Sequence, residues 1–192
     1  MKKIIALLLV AVMALGMAAC AGTGNNEVKD TTAVTEDQIT VGSAVEVLET
    51  VWALYGEEEK FFAMGGDFNA PVDNAPGNVD VTNTEFLQYN LLVPEAQWAS
   101  VTEAASLIHG MNANTFTCGV YKVSDANAFA TAMQTAVQGN QWMCGFPETL
   151  IVYEIGGYVL VAFGVNDAIN PFLNHLATAY AGATELVNEP IA

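Results

Sequence analysis

TLIVYEIGGYVLVAFG (149–164) carries the clearest structural signal in the chain. Two runs rich in Val, Ile, Leu, Tyr and Phe flank Gly156 and Gly157. A two-residue hairpin turn needs positive φ at both central positions, which glycine adopts without steric cost. The stretch therefore predicts an antiparallel hairpin. Just upstream, TFTCGVY (115–121) alternates and places Phe116, Cys118 and Val120 on one face of a further strand. Between the two, Ser124 is placed to cap a helix with Phe129, Met133 and Val137 inward and Gly139 as its stop. Downstream, Asn170 and Pro171 open a last helix that turns Phe172, Leu173, Leu176 and Tyr180 inward and ends at Gly182. The order β-α-β-β-α gives a crossover pair followed by a hairpin. The expected class is α+β, a two-layer α/β arrangement: a small mixed sheet of about three strands, helices packed on one face, and further helices at the N-terminal side.

Toward the N-terminus, SAVEVLETVWALYGEEEKFF (43–62) repeats apolar residues at three and four (Ala44, Val45, Leu48, Val51, Trp52, Tyr55), the pattern of an amphipathic helix. GGDFNAPVDNAPGNVDVTN (65–83) is dense in turn formers and reads as one long loop. EFLQYNLLV (85–93) is a short apolar stretch leading to Pro94. Trp98, Val101, Ala105 and Ile108 then line one face of a helix, with Ser100-x-x-Glu103 as its capping box and Gly110 as its stop.

The chain begins MKKIIALLLVAVMALGMAAC (1–20). Lys2 and Lys3 precede an apolar run from Ile4 to Met17, 14 residues, short of the roughly 20 that span a bilayer. That is the form of a signal-peptide core. Met17-Ala18-Ala19-Cys20 resembles the bacterial lipobox, with Met17 where leucine is usual. The resemblance implies a signal peptide over 1–19 and acyl chains on Cys20. It places the protein at the cell membrane, lipid-anchored on the extracytoplasmic face. Residues 20–40 are small and polar, a flexible acidic spacer, and 41–187 form a single α/β domain.

Without residues 1–19 the chain keeps 192 − 19 = 173 residues, all 21 acidic residues, and only Lys29, Lys60 and Lys122 as cations. Its formal charge is then 3 − 21 = −18. Such a field excludes nucleic acid as a partner and favours divalent cations or basic peptides. The chain has no arginine, so it lacks the planar fork that grips phosphate and carboxylate.

Catalytic signatures are missing. His109 and His175 are the only histidines, and no metalloprotease, nucleophile-elbow, phosphate-loop or C-x-x-C pattern occurs. No catalytic residue, metal or cofactor is assigned. Cys144, in the Gly- and Pro-punctuated WMCGFP, gives the alternative of a cysteine-dependent hydrolase or redox protein, though no neighbouring cation lowers its pKa. With Cys20 lipidated, Cys118 and Cys144 remain as an even pair, which permits a disulfide in an exported protein. The strand position of Cys118 suits a free thiol packed as a small hydrophobe, and a packing role is expected for both cysteines. His109 is expected at a helix C-terminus and His175 at a surface or boundary position. Asp67, Asn69, Asp73, Asn74, Asn78 and Asp80 are hard oxygen donors of the kind calcium takes. Their spacing is not that of an EF-hand, and Pro71 and Pro76 interrupt them, so they read as a solvated loop.

HGMNANTFTCGVYKVSDANAFA (109–130) and QWMCGFPETLIVYEIGGYVLVAFG (141–164), with the signal, spacer and first helix, resemble small Gram-positive bacterial lipoproteins catalogued as a domain of unknown function. The resemblance spans roughly 41–182. It implies an envelope lipoprotein and transfers no catalytic residue. The function expected is a non-catalytic, membrane-anchored protein that binds an envelope protein or a small molecule through the loops 64–83 and 140–147.

Overall fold

A computed structural model describes residues 39–192. The signal peptide, Cys20 and all but the last two residues of the spacer lie outside the described residues. Among the described residues no helix is long and apolar enough to cross a membrane. In chain order the elements are α1 (Ala44–Trp52), β1 (Ala63–Gly65), β2 (Val72–Asp73), β3 (Gly77–Val79), α2 (Thr84–Tyr89), a 3-10 helix (Glu95–Ser100), β4 (Glu103–His109) and β5 (Phe116–Lys122). They continue with α3 (Ala126–Gln138), β6 (Thr149–Ile155), β7 (Tyr158–Gly164), α4 (Asn166–Ala179) and β8 (Thr184–Pro190).

The hairpin forms where Gly156 and Gly157 require it. Both adopt positive φ, 55° and 85°, and β6 pairs with β7 from Ile155–Tyr158 outward to Thr149–Gly164. The rest of the sheet overturns the expectation of about three mixed strands. Among the described residues eight strands join one sheet, in the order β2-β1-β4-β5-β7-β6-β8 with β3 also on β4, and every adjacent pair is antiparallel. The crossover through α3 does connect two strands of like direction. Yet β7 folds back between β5 and β6 and pairs with both, so no parallel pair exists among the described residues.

Helices cover both faces rather than one. Strand alternation sends Leu107, Phe116, Cys118, Val120, Ile151 and Leu160 to a core closed by Leu48 and Val51 of α1 and by Phe172 and Leu176 of α4. The alternate residues, among them Ile108, Tyr121, Leu150, Val152 and Val161, face a second core. It is closed by Phe86 and Leu87 of α2 and by Phe129, Met133 and Val137 of α3. Each fully buried Leu, Val or Phe contributes about 1.5–3 kcal/mol, so both layers matter. The result is three layers, not two.

Several local expectations are corrected. The helix placed across Trp98–Ile108 is a short 3-10 turn followed by β4. Ser100 turns its hydroxyl back to the Gln97 carbonyl, 2.7 Å away. Glu103 instead accepts from the Ala44 amide at 2.6 Å, at the start of α1, and from the Tyr158 hydroxyl at 3.0 Å. Asp125 rather than Ser124 caps α3, accepting from Ala128 N. α4 starts at Asn166, so Pro171 lies inside it; the Asn166 amide donates to the Glu148 carboxylate at 2.6 Å. Residues 65–83 are not one loop, since they hold the end of β1 and all of β2 and β3. After α4 the chain adds β8 against β6, with a register shift at Val152/Tyr153.

Candidate functional site

The turn-rich segment 65–83 builds the site. β1 pairs with His109–Leu107 and β3 with Ser106–Ala104, so the two short strands lie end to end along one edge of β4. Residues 66–76 are looped out between them. The chain leaves and rejoins the edge at glycines because nothing larger fits. A Cβ on Gly65 would lie 2.3 Å from the Ala75 carbonyl, and one on Gly77 would lie 2.5 Å from the Gly66 amide.

Buried polar groups fix this excursion. Ser106, fully buried, donates its hydroxyl to the Gly66 carbonyl at 2.7 Å. Asp67, also buried, accepts from the Asn69 and Ala70 amides through Oδ1, at 2.8 and 3.2 Å, and from the Asp80 amide through Oδ2, at 2.9 Å. The Trp52 indole donates to the Asn74 carbonyl, where the backbone turns through φ 57°. Of the six residues whose oxygens are of the kind calcium takes, Asp67 is thus a brace for the backbone. Asp80 accepts from the Thr82 amide and hydroxyl, which holds its carboxyl below the usual range. Asn69, Asp73, Asn74 and Asn78 are exposed, and among the described residues no three His, Cys, Asp or Glu side chains converge on a common point.

Between the excursion, α2 and the end of β4 lies a cleft of about 300 Å³, walled by Met64, Phe68, Pro71, Phe86, Asn90 and Ile108. Phe68 is 66% exposed and packs edge-on against Phe86, ring centroids 5.1 Å apart. Tyr89, the last residue of α2, is 71% exposed. The walls are mostly carbon, and the Asp67 oxygens are engaged by amides, so the cleft suits an apolar group.

The apolar surface continues past Met64. A Cβ on Gly110 would meet the Phe62 ring at 2.5 Å and Met64 at 3.2 Å, so Gly110 sits flat between them. Beyond it the 110–115 turn and the 140–148 loop are laced together. Asn112 Nδ2 donates to the Cys144 carbonyl at 2.7 Å, and Asn114 Nδ2 to those of Met143 and Gly145 at 2.8 and 3.1 Å. Met111, Met143 and Phe146 project from this brace, largely exposed. Residues 110–121 and 126–147 contain no charged side chain, so this end of a strongly acidic chain is neutral.

The residues marked for chemistry are scattered. Cys118 and Cys144 are both free thiols, the first fully buried on β5 and the second exposed at φ 64°. Burial pushes the Cys118 thiol well up. The exposure of Cys144 removes the packing role expected of it, and its carbonyl rather than its thiol is the group held by Asn112. His109 ends a strand, not a helix. Its Nδ1 accepts from the Met111 and Asn112 amides at 3.2 and 3.3 Å, and its ring stacks on Phe61. His175 is half-buried on α4, its ring 4.3 Å from Tyr55 and its Nε2 3.8 Å from Glu59.

Of the two loops expected to make contacts, 64–83 supplies much of the cleft and 140–147 the neutral tip. Phe86 and Ile108 join the site from outside both loops; the signal that could have found Phe86 is an aromatic residue in a short apolar stretch directly after a Gly-rich segment. No family model, curated protein or solved structure matches this chain.

Proposed function

We propose that the protein is a non-catalytic, extracytoplasmic lipoprotein, anchored through Cys20, that binds a partner or small apolar ligand in the cleft beside α2. The kinship with small Gram-positive lipoproteins belongs to the same proposal. The observation that carries the binding role is the carbon-walled cleft of about 300 Å³ with the exposed Phe68 in its wall. Solvent-facing aromatics beside a preformed apolar hollow are the usual makings of a recognition site. The anchor rests on the sequence 1–20, whose apolar run ends in Met17-Ala18-Ala19-Cys20.

Two measurements test the proposal. Cys20→Ala should move the expressed protein from the detergent to the aqueous phase of a Triton X-114 partition; retention in the detergent phase refutes the anchor. The apolar dye N-phenyl-1-naphthylamine should brighten on binding the full chain, and Phe68→Ser with Tyr89→Ser should abolish most of that signal. An unchanged signal refutes the cleft as the site.

A further inference from the structure

We infer that the cleft receives an apolar side chain from a cationic peptide segment, a Leu, Met or Phe flanked by lysine or arginine; this deepens, and rests on, the reading of the cleft as the binding site. The volume sets the first constraint. About 300 Å³ holds one or two side chains, not a folded partner, so the remainder of any peptide must lie on the rim.

The rim sets the second. Asp73 is the cross-strand partner of Met64, and Glu85 precedes Phe86 on α2. Both are exposed. Neither lysine among the described residues lines the cleft. Lys60 is paired with Glu57 at 2.9 Å and sits over the Trp52 ring. Lys122 lies opposite Glu103 at the other end of β4, over Tyr158. The field of the whole chain, formally −16, therefore repels an anionic peptide and draws in a cationic one.

The exposed aromatics complete the fit. Lysine and arginine heads lie favourably over aromatic faces; Phe68, in the cleft wall, presents an exposed ring, and α2 carries a second exposed ring at Tyr89. The neutral tip with Met111 and Met143 offers a compliant apolar continuation, since methionine adapts its shape to what it meets.

The test uses the full chain and fluorescein-labelled synthetic peptides read by anisotropy at near-physiological salt: a Lys/Leu repeat, a Lys/Ser repeat of equal charge, and a Glu/Leu repeat. The Lys/Leu peptide should bind saturably, and the other two at least about tenfold more weakly. Phe68→Ser with Tyr89→Ser removes no charge and only exposed side chains. It should weaken Lys/Leu binding by about tenfold or more, with circular dichroism unchanged. If Glu/Leu binds as well as Lys/Leu and both are lost in the double variant, the cleft stands and the cationic preference is overturned. If Lys/Ser equals Lys/Leu, attraction is diffuse and the anchored side chain is overturned. If the double variant binds Lys/Leu like wild type, the cleft reading itself falls. Failure of all three peptides to bind overturns the peptide inference while leaving the dye experiment to judge the cleft.

Discussion

Asp67→Asn keeps the shape of the side chain and changes one acceptor into a donor. With the amide oxygen kept toward Asn69 and Ala70, the new NH₂ points at the Asp80 amide, which now bonds Oδ2 at 2.9 Å. A hydrogen bond to a charged group is worth about 1.5–3 kcal/mol, and a buried orphan donor costs about 1–3 kcal/mol. Neutralising a carboxylate that is only 3% exposed returns some of its desolvation cost, so the net loss should be about 2–3 kcal/mol. For a domain of this size each kcal/mol moves the melting temperature by roughly 2–4 °C, giving a fall of about 4–12 °C. The assay is thermal melting by circular dichroism, with Asp73→Asn as the exposed control that should stay within about 1 °C of wild type. Repeating both melts with calcium separates bracing from ligation. A variant as stable as wild type, or a calcium-dependent gain in wild type that Asp67→Asn abolishes, would refute the assignment of Asp67 as a backbone brace.

Tyr55, Tyr121, Tyr153, Tyr158 and Tyr180 all have phenol pKa values raised, chiefly by burial, Tyr153 to about 12. A group whose folded pKa exceeds its unfolded value, near 10 for tyrosine, stabilises the fold fully below that value and loses its contribution as pH rises through the folded one. Stability should therefore hold to about pH 10 and fall between about 10 and 12, with most tyrosinate absorbance appearing together with unfolding; smooth ionisation of all six tyrosines at their ordinary value refutes this. Gly156→Val adds strain at φ 55° and brings Cβ within 2.7 Å of the Ile39 carbonyl, so chemical denaturation should show a loss of at least about 2 kcal/mol. Gly157→Asn, at a position open to solvent, should cost less than about 0.5 kcal/mol. Cys118→Ala should cost about 1 kcal/mol through the lost packing, and reductant should leave the wild-type melting curve in place because both thiols are free; a reductant-dependent loss of about 2–4 kcal/mol would reveal a bridge.

The elements legible in the sequence are those with one strong local signal. The hairpin announces itself through Gly156 and Gly157, β5 through its β-branched and aromatic run, and α3 through the spacing of Phe129, Met133 and Val137. β4 is hidden because both its faces are buried; Ala104, Ala105, Leu107 and Ile108 form a nearly unbroken apolar run whose spacing also fits a helix, and alanine favours that reading. The start of α4 is hidden because Val165 precedes it with no capping oxygen, the acceptor arriving from Glu148 instead. β8 is an edge strand with one buried residue, so Glu185 and Glu189 face water and leave little hydrophobic pattern to read. The site is legible only in part for the same reason. Loop composition marks 64–83, but the pairing that sets Met64 beside Ile108 joins residues far apart in sequence.

The interruption of the β4 edge separates scaffold from specificity. β1 and β3 together complete the hydrogen bonding of β4 as one strand would, and Gly65, Gly77 and Ser106 lock the two places where the chain departs and returns. What projects between those locks is a detachable reader: its tip, residues 68–71, is wholly exposed and adds no bond to the sheet ladder. So long as Asp67 keeps its bonds to the Asn69 and Ala70 amides, the side chains of this tip can change without breaking the ladder of the sheet. A lineage of such proteins could diversify what it recognises at this one short segment while inheriting the same eight-stranded frame.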